Sequence, residues 1–487
     1  MSSKMRLIKS SGIYGMVQIL QKSIGLILIP IYTSLLSPNE KGITDVITTI
    51  VAFLSIFYSV SINSAVVRFY VDYKEDKKKL KDFWGTCITF VIINSVVLTT
   101  IIIIFKKYII MPIASGIDFY PYILLGMISI TLNPIYTVFQ STLQAKEDSR
   151  KYALNNLSYF FVNLGLNLIL IIVLRLGALG SLLALAITDI IFFIYTAINF
   201  LPTITLKIDK DYLKSALKYS LPLLPHSLSG WAVSMIDRLF LNGMVSRAAT
   251  SIYSTAAQFG NIINVLTSAI NQAYVPWFFD RMKEKDKNEN EIVKMAELLT
   301  IVYCFLALGM SLLGPEIFKL VVNRRYYEGW KVIPFISFAF VFNGIYYFFV
   351  NPLFYNKRGV KFIAIGTFTG AFLNSILNII MIPIFGGVGA GIASLLSMMV
   401  SCILVYIISK KIEPIKFNII KMFSFAIVFL LISLLSFKIN IENLLLSIGI
   451  KFLIILVMVI LIALIYLKDI NSIYKVLVNK IRKRDNI

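Results

Sequence analysis

Little in this chain supports catalysis of the usual kinds. Its 487 residues include one histidine, His226, and three cysteines, Cys87, Cys304 and Cys402. All three cysteines fall inside long apolar runs, so they offer no disulfide framework and no metal-ligand spacing. A lone histidine gives no sign of a Ser/His/Asp set, and no Walker-type phosphate loop is present. Charge is scarce as well, 15% of residues where soluble proteins carry roughly a quarter. The longest polar connections, Asp280–Glu291 and Pro315–Trp330, are far below the ~50 residues of a separate domain. These absences argue against an enzyme, a bound cofactor and energy drawn from ATP within the chain. Whatever the protein does is done among its apolar segments.

Those segments dominate. Hydrophobic residues make up 58% of the chain, with a mean hydropathy of +0.82. Runs long enough to cross a ~30 Å hydrocarbon core lie near 9–35, 43–71, 82–105, 119–145, 152–174, 178–201, 214–242, 249–280, 292–314, 332–355, 361–384, 387–408, 418–437 and 446–467. Backbone polar groups in lipid must be satisfied internally, so each run is expected to be a helix. The expected fold is an all-α integral membrane protein of about fourteen transmembrane helices. The first run carries Gln18, Gln21 and Lys22 and lacks a cleavage site, so it reads as a first span rather than a removed signal.

A net charge of +22 raises the question of nucleic acid, and its distribution answers it. With an inward N-terminus, the connections assigned to the inside hold 29 Lys and Arg, and those assigned to the outside hold 9. Lys74–Lys81, Arg281–Lys287 and the tail from Lys468 contribute most of the excess. That is the positive-inside pattern, so the basicity is topology and no nucleic-acid partner is expected. Both termini are placed in the cytoplasm.

The second half repeats landmarks of the first. Ile62-Asn-Ser-Ala-Val-Val-Arg-Phe-Tyr-Val-Asp72 is echoed at an offset of 208 by Ile270-Asn-Gln-Ala-Tyr-Val-Pro-Trp-Phe-Phe-Asp280. Asn163-x3-Asn167 before Gly177-Ala-Leu-Gly180 is echoed by Asn374-x3-Asn378 before Gly386-Gly-Val-Gly389. Doubled bundles that rock about a central site are how alternating-access transporters are commonly built. The expected organisation is an N-terminal six-helix bundle over 1–205, a second over 206–412, and an additional helix pair with a basic tail over 413–487.

Three stretches carry a resemblance: Asn63-Ser-Ala-Val-Val-Arg-Phe-Tyr70, then Leu143-Gln-Ala-Lys-Glu-Asp148, then Tyr219-Ser-Leu-Pro-Leu-Leu-Pro-His226 with Ile236-Asp-Arg-Leu-Phe-Leu-Asn-Gly243. In this order and spacing, over nearly the whole chain, they resemble the oligosaccharide flippases of the multidrug/oligosaccharidyl-lipid/polysaccharide exporter superfamily. The resemblance implies a flippase of a bacterial cytoplasmic membrane that moves an undecaprenyl-pyrophosphate-linked oligosaccharide outward. Its cavity would be lined by spans one, two, seven and eight. Membrane lipids, a polysaccharide polymerase and glycosyltransferases would be its surroundings and partners. A lipid II flippase is the alternative, since it too can have fourteen spans. A cation-coupled multidrug exporter would favour an acidic or aromatic cavity and usually lacks the last two spans.

Such a cargo needs cations for pyrophosphate and amides or hydroxyls for sugar, and ionisable groups inside spans default to functional candidates. Lys22 lies about 13 residues into span one, roughly 20 Å deep at 1.5 Å per residue, with Gln18 one turn before it. It is either a cavity cation for phosphate or a lysine salt-bridged for packing. Arg68 ends a stripe of Thr48, Ala52, Ser55, Ser59 and Asn63; its fork suits phosphate, and its position also suits a positive-inside anchor. Span eight carries Gln258, Asn261, Asn264, Ser268, Asn271 and Gln272 at helical spacing, a hydrated wall for sugar or a set of interhelical hydrogen bonds. Arg238, a further substrate candidate, is near enough to the outer end to snorkel. Ion-coupling candidates are Asp237, Asp189 and His226, each with packing or local structure as the alternative.

Overall fold

A computed structural model of the chain describes residue 26, residues 28–356, 359–439, 441 and 443–484, with backbone alone at 360, 361 and 466–484. Among the described residues there are helices and no strands. Ten helical stretches are long and apolar enough to cross a membrane. The longest of them, Phe362–Ile412, is two passages, because Gly386 (φ 57°, ψ −132°) reverses the chain inside it. Gly366 faces Val405, Gly370 faces Ser401 and Asn374 donates to Ser394, so the two arms run antiparallel. Leu224–Met244 and Arg247–Met282 are also of membrane length but too polar to count among the ten. These are spans seven and eight of the sequence reading. Of span one, the helical end Ile29–Leu35 is described.

The helices used below are α1 Ile29–Leu35, α2 Pro38–Ser59, α3 Ile62–Tyr73, α4 Lys77–Ile104, α5 Leu124–Ala145, α6 Ser149–Asn167, α7 Gly177–Asn199, α8 Lys210–Ser220, α9 Leu224–Met244, α10 Arg247–Met282, α11 Lys285–Leu312, α12 Gly314–Val321, α13 Ile333–Tyr355, the hairpin α14 Val360–Ile412, α15 Ile419–Ser433 and α16 Leu444–Arg484. Caps fix where several begin. Ser37 and Glu40 form a capping box at α2, and Asp76, Asp209 and Ser246 cap α4, α8 and α10. The Lys79 amide, donating to Asp76 at 3.1 Å, holds that carboxyl below the ordinary carboxylate range.

The repeat is visible as shape. In the first half α6 and α7 form the hairpin that α14 forms in the second, turning at Arg175 (φ 52°) and Gly177 (φ 57°). Asn163 donates to Thr188 across the first hairpin as Asn374 does to Ser394 across the second. Within each, the second asparagine donates to the first at 3.0 Å. Separate apolar cores fill the halves, one around Phe83, Phe139 and Phe192, the other around Phe338, Phe342 and Phe349.

The connection between the halves is pinned to the first. Thr86 donates to the Lys207 carbonyl and accepts from the Asp209 amide, and a Cβ on Gly85 would lie 1.8 Å from the Thr205 carbonyl oxygen. α8 follows the same side: Tyr212 meets Tyr73 and Phe83, and Tyr219 meets Phe69. The helix after residue 206 thus packs on the N-terminal bundle.

The extra pair packs on the second half. Lys421 reaches Glu297 at 2.6 Å, Lys285 reaches Glu413 at 3.0 Å, and buried Lys451 reaches both oxygens of Glu316 on α12 at 2.6 Å. Ser447 also donates to Glu316, so this buried pair has the extra hydrogen bond that desolvated charges require.

Candidate transport site

Two ends can be distinguished by charge. The basic end holds Lys74–Lys81, Lys146–Lys151, Lys207–Lys210 and Arg281–Lys287; the opposite end holds the α1–α2 and α9–α10 turns. Hydrogen bonds joining the two halves cluster from the opposite end to mid-depth. Tyr326 donates to the Leu36 carbonyl at 3.0 Å, Ser251 to Pro38 at 2.7 Å, the Asn323 amide to Thr33 at 3.3 Å, Asn242 to Ser115 at 3.0 Å and Trp231 to Thr49 at 3.2 Å. Trp231 also stacks obliquely on Phe53, ring centres 4.7 Å apart. Between α3 and α10, toward the basic end, the described residues make no hydrogen bond, ion pair or ring contact. With α8 counted with the first half on which it packs, the hydrogen bonds between the halves lie, among the described residues, toward one end only.

Facing each other across this seam are the helices the sequence singled out. The stripe on α2 is formed as expected, but Val60 (φ 49°) and Ser61 (φ 53°) break the helix before Asn63. Non-glycine residues in that region are uncommon and mark a local constraint. Asn63 follows the break with its Oδ1 buried and without a hydrogen-bond partner among the described residues. Arg68 is about half exposed, pairs with Asp72 at 3.1 Å and lies over the Phe69 ring.

On α10 the amides divide. Asn343 donates to Asn264 at 3.2 Å, Ser268 meets Tyr347 at 3.4 Å and Asn351 donates to Asn271 at 3.0 Å, so one edge of the row bonds to α13. Interhelical bonding therefore accounts for Asn264, Ser268 and Asn271. Gln258 is half-buried with an unpartnered Oε1, Asn261 accepts only from Asn264 of its own helix, and Gln272 is exposed. If Asn271 serves packing, Asn351→Leu should cost only ~0.6 kcal/mol, the mean for such bonds in membranes, and leave transport rates within twofold. Melting of the purified protein and a vesicle transport assay read the two; a severe transport defect at normal stability would put Asn271 back at the cargo.

The two in-span aspartates are buried, each among neutral donors. Asp189 accepts from Asn133 at 2.7 Å, from Tyr159 at 2.8 Å and from Ser129. Asp237 accepts from Asn378 and Tyr253, both at 2.5 Å, and from Ser394 at 3.0 Å. Neither carboxylate is in an ion pair among the described residues. The Oδ1 of Asn378, itself fully buried, has no partner and lies on the side chain that binds Asp237. A carboxyl buried this way with no countercharge paired to it is a place able to take a proton.

The repeat relates this site to the first half. Ile29 of α1 aligns with Asp237 of α9 at the offset of 208. In the first half the second asparagine of the hairpin, Asn167, accepts from Tyr32 of α1 at 2.9 Å; in the second, Asn378 donates to Asp237 of α9. The second asparagine of each hairpin thus meets the facing helix, through the Tyr32 phenol in the first half and the Asp237 carboxylate in the second. Sequence reasoning had Asn374 and Asn378 as landmarks and missed Asn378, Tyr253 and Ser394 as partners of Asp237, with Asn374 behind them as a donor to Ser394. The signal was available in the Asn-x3-Asn spacing, which puts both amides on one helix face.

Of the remaining candidates, Arg238 is half-buried with an unpartnered Nε, next to the Asp237 cluster in sequence. His226 is exposed in the first turn of α9, after Pro222 and Pro225. Lys22 and Gln18 lie outside the described residues.

Two clasped helical bundles with polar helices along their seam define a membrane transporter of the two-lobed kind. The chain matches the polysaccharide biosynthesis protein family over residues 7–282 and belongs to that family. It is 21% identical over 335 residues to the Lsg locus putative protein 1 of Haemophilus influenzae, covering 66% of this chain and 78% of that one. A solved lipid II flippase MurJ, in an inward closed conformation, shares its fold at TM-score 0.72 and 15% identity, over 93% of this chain and 99% of that one. The Vibrio cholerae MATE transporter VcmN is similar at TM-score 0.58 and 14% identity, over 83% and 96%. The protein is thus a multi-pass membrane protein of the polysaccharide biosynthesis family, with the fold that these solved transporters share.

Proposed function

We propose that the protein flips an undecaprenyl-pyrophosphate-linked oligosaccharide from the inner to the outer leaflet of a bacterial cytoplasmic membrane, with both termini inside. The observation that carries this reading is the one-ended clasp: the polar seam of α2, α3, α9 and α10 is closed at the end of low basic charge and unclasped toward the basic end. With the basic end in the cytoplasm, this is an inward-facing state ready to receive a headgroup while its polyprenyl tail stays in lipid. Membership of the polysaccharide biosynthesis family supports a sugar cargo, and Arg68 and Lys22 supply cations for its pyrophosphate. Glycosyltransferases would make the cargo and a polymerase would consume it.

A second reading, transport of lipid II, is favoured by the 93% coverage of this chain by the MurJ fold. Vesicles containing the purified protein, loaded in parallel with polyprenyl-pyrophosphate oligosaccharides and with lipid II, separate the two. The expected result is translocation of the oligosaccharide lipid, reduced in Lys22→Ala at unchanged membrane expression. Preferential movement of lipid II would install the second reading, and normal transport by Lys22→Ala would remove that lysine from the site.

A further inference from the structure

α8 has an unusual outer surface. Its packed side, Tyr212, Ala216 and Ser220, faces α3 and α4. At 100° per residue, Leu213, Leu217 and Leu221 form the adjoining stripe, and Lys210, Lys214 and Lys218 form the next. These six residues alone line a groove of about 510 Å³ on the outside of the molecule. The three lysines are exposed, and among the described residues none is in an ion pair. Lys210 and Lys218 are eight residues apart, roughly 12 Å along the helix.

Apolar stripe, then basic stripe, on a helix at the basic end is the form of an interfacial element: leucines enter the acyl boundary and lysines sit at headgroup level. We infer that this groove binds anionic phospholipid of the cytoplasmic leaflet, taking phosphates on Lys210, Lys214 and Lys218 and the first acyl carbons against the leucines. Charge complementarity selects this occupant, because such a leaflet carries negative surface potential and each lysine near it contributes separately. The packed side of α8 turns the groove away from α3, so bulk lipid rather than the cargo in the seam is what it meets. The inference rests on the placement of the basic end in the cytoplasm.

The consequence is mechanical. α8 passes through the single turn Leu221–Leu223 directly into α9, the helix carrying Asp237. Lipid held on α8 fixes the membrane depth at which α9 starts, and gives the moving half a stationary anchor on the first.

The test is binding, read without transport. Full-length protein is placed in nanodiscs of phosphatidylcholine with a minor fraction of phosphatidylglycerol, and lipid retained by the protein is counted by mass spectrometry. Lys210→Gln/Lys214→Gln/Lys218→Gln should lower phosphatidylglycerol enrichment, by about fivefold per lysine removed at low salt. Lys77→Gln/Lys78→Gln/Lys79→Gln removes equal charge from the first turn of α4, where no apolar groove accompanies it, and should lower enrichment far less. Equal losses in both variants, or none in the first, would overturn the inference. A parallel arm replaces phosphatidylglycerol with polyprenyl pyrophosphate. Loss of that lipid alone in the α8 variant would make the groove a cargo-entry site and refute the phospholipid assignment. Because no flipping is measured, failure here is distinguishable from failure of the proposed cargo.

Discussion

Asp237→Asn should abolish the dependence of transport on a proton gradient, with the protein still present in the membrane in normal amount. Asparagine keeps the volume of the side chain and one carbonyl oxygen for the Asn378 amide. Its own amide can donate to the hydroxyl oxygens of Tyr253 or Ser394, which now donate to the carboxylate. Packing is therefore preserved while the only carboxyl in the cluster is removed. Coupling between ion and cargo is reciprocal and typically amounts to 1–3 kcal/mol, so the gradient-driven enhancement should fall by about 5- to 150-fold. Asp189→Asn is the informative comparison. Its donors Ser129, Asn133 and Tyr159 tie together α5, α6 and α7, none of them a seam helix, whereas Asp237 and Tyr253 sit on α9 and α10. Asp189→Asn should leave gradient dependence intact. Initial flipping rates in vesicles with and without an imposed gradient decide it; undiminished dependence in Asp237→Asn would exclude that carboxylate as the coupling group.

How much of this was legible in the sequence depends on the kind of contact involved. Span positions followed from apolar length, and the short gaps between the runs at 174–178 and 384–387 put the chain reversals near Gly177 and Gly386, because that signal is local. The polar stripe on α2 was legible for the same reason, being written at helical spacing along one segment. The break at Val60 and Ser61 was not, since neither residue is a usual left-handed type and only packing over-determines them. The partners of Asp237 come from residues 16, 141 and 157 positions away, and no periodicity reports such meetings. By contrast Lys41, one of the nine charges assigned to the outside, makes a local contact that i,i+4 spacing does report. It is buried within α2 and pairs with Asp45 at 2.7 Å, one turn on. Lys451 looked like part of an apolar run, and its partner Glu316 sits 135 residues earlier. Charges paired across the fold carry no signature in either segment alone.

Gly42→Leu is expected to open the clasped end. Gly42 lies on α2 against the first turn of α10, and a Cβ there would be 2.2 Å from the Arg247 carbonyl oxygen and 2.6 Å from its carbonyl carbon. Those are backbone atoms, so no rotamer change relieves the overlap; α2 and α10 must separate. Separation breaks the neighbouring bond from Ser251 to the Pro38 carbonyl and loosens the Tyr326 hydroxyl from Leu36. Overpacking of this kind costs about 1–3 kcal/mol, which is charged entirely to the clasped state and shifts the equilibrium about 5- to 150-fold toward the open one. The readout is a cysteine placed by Ser251→Cys, buried while the clasp is shut. The native Cys87, Cys304 and Cys402 are all buried and contribute little background. A membrane-impermeant thiol reagent added from outside should label Ser251→Cys faster in the Gly42→Leu background. Gly243→Leu, on α9 where a new Cβ meets no atom within 4 Å, is the control and should not change the rate. Equal labelling in both backgrounds would mean that the contact between α2 and α10 is not the gate. Faster labelling together with slowed transport would identify it as the surface that must part once in every cycle.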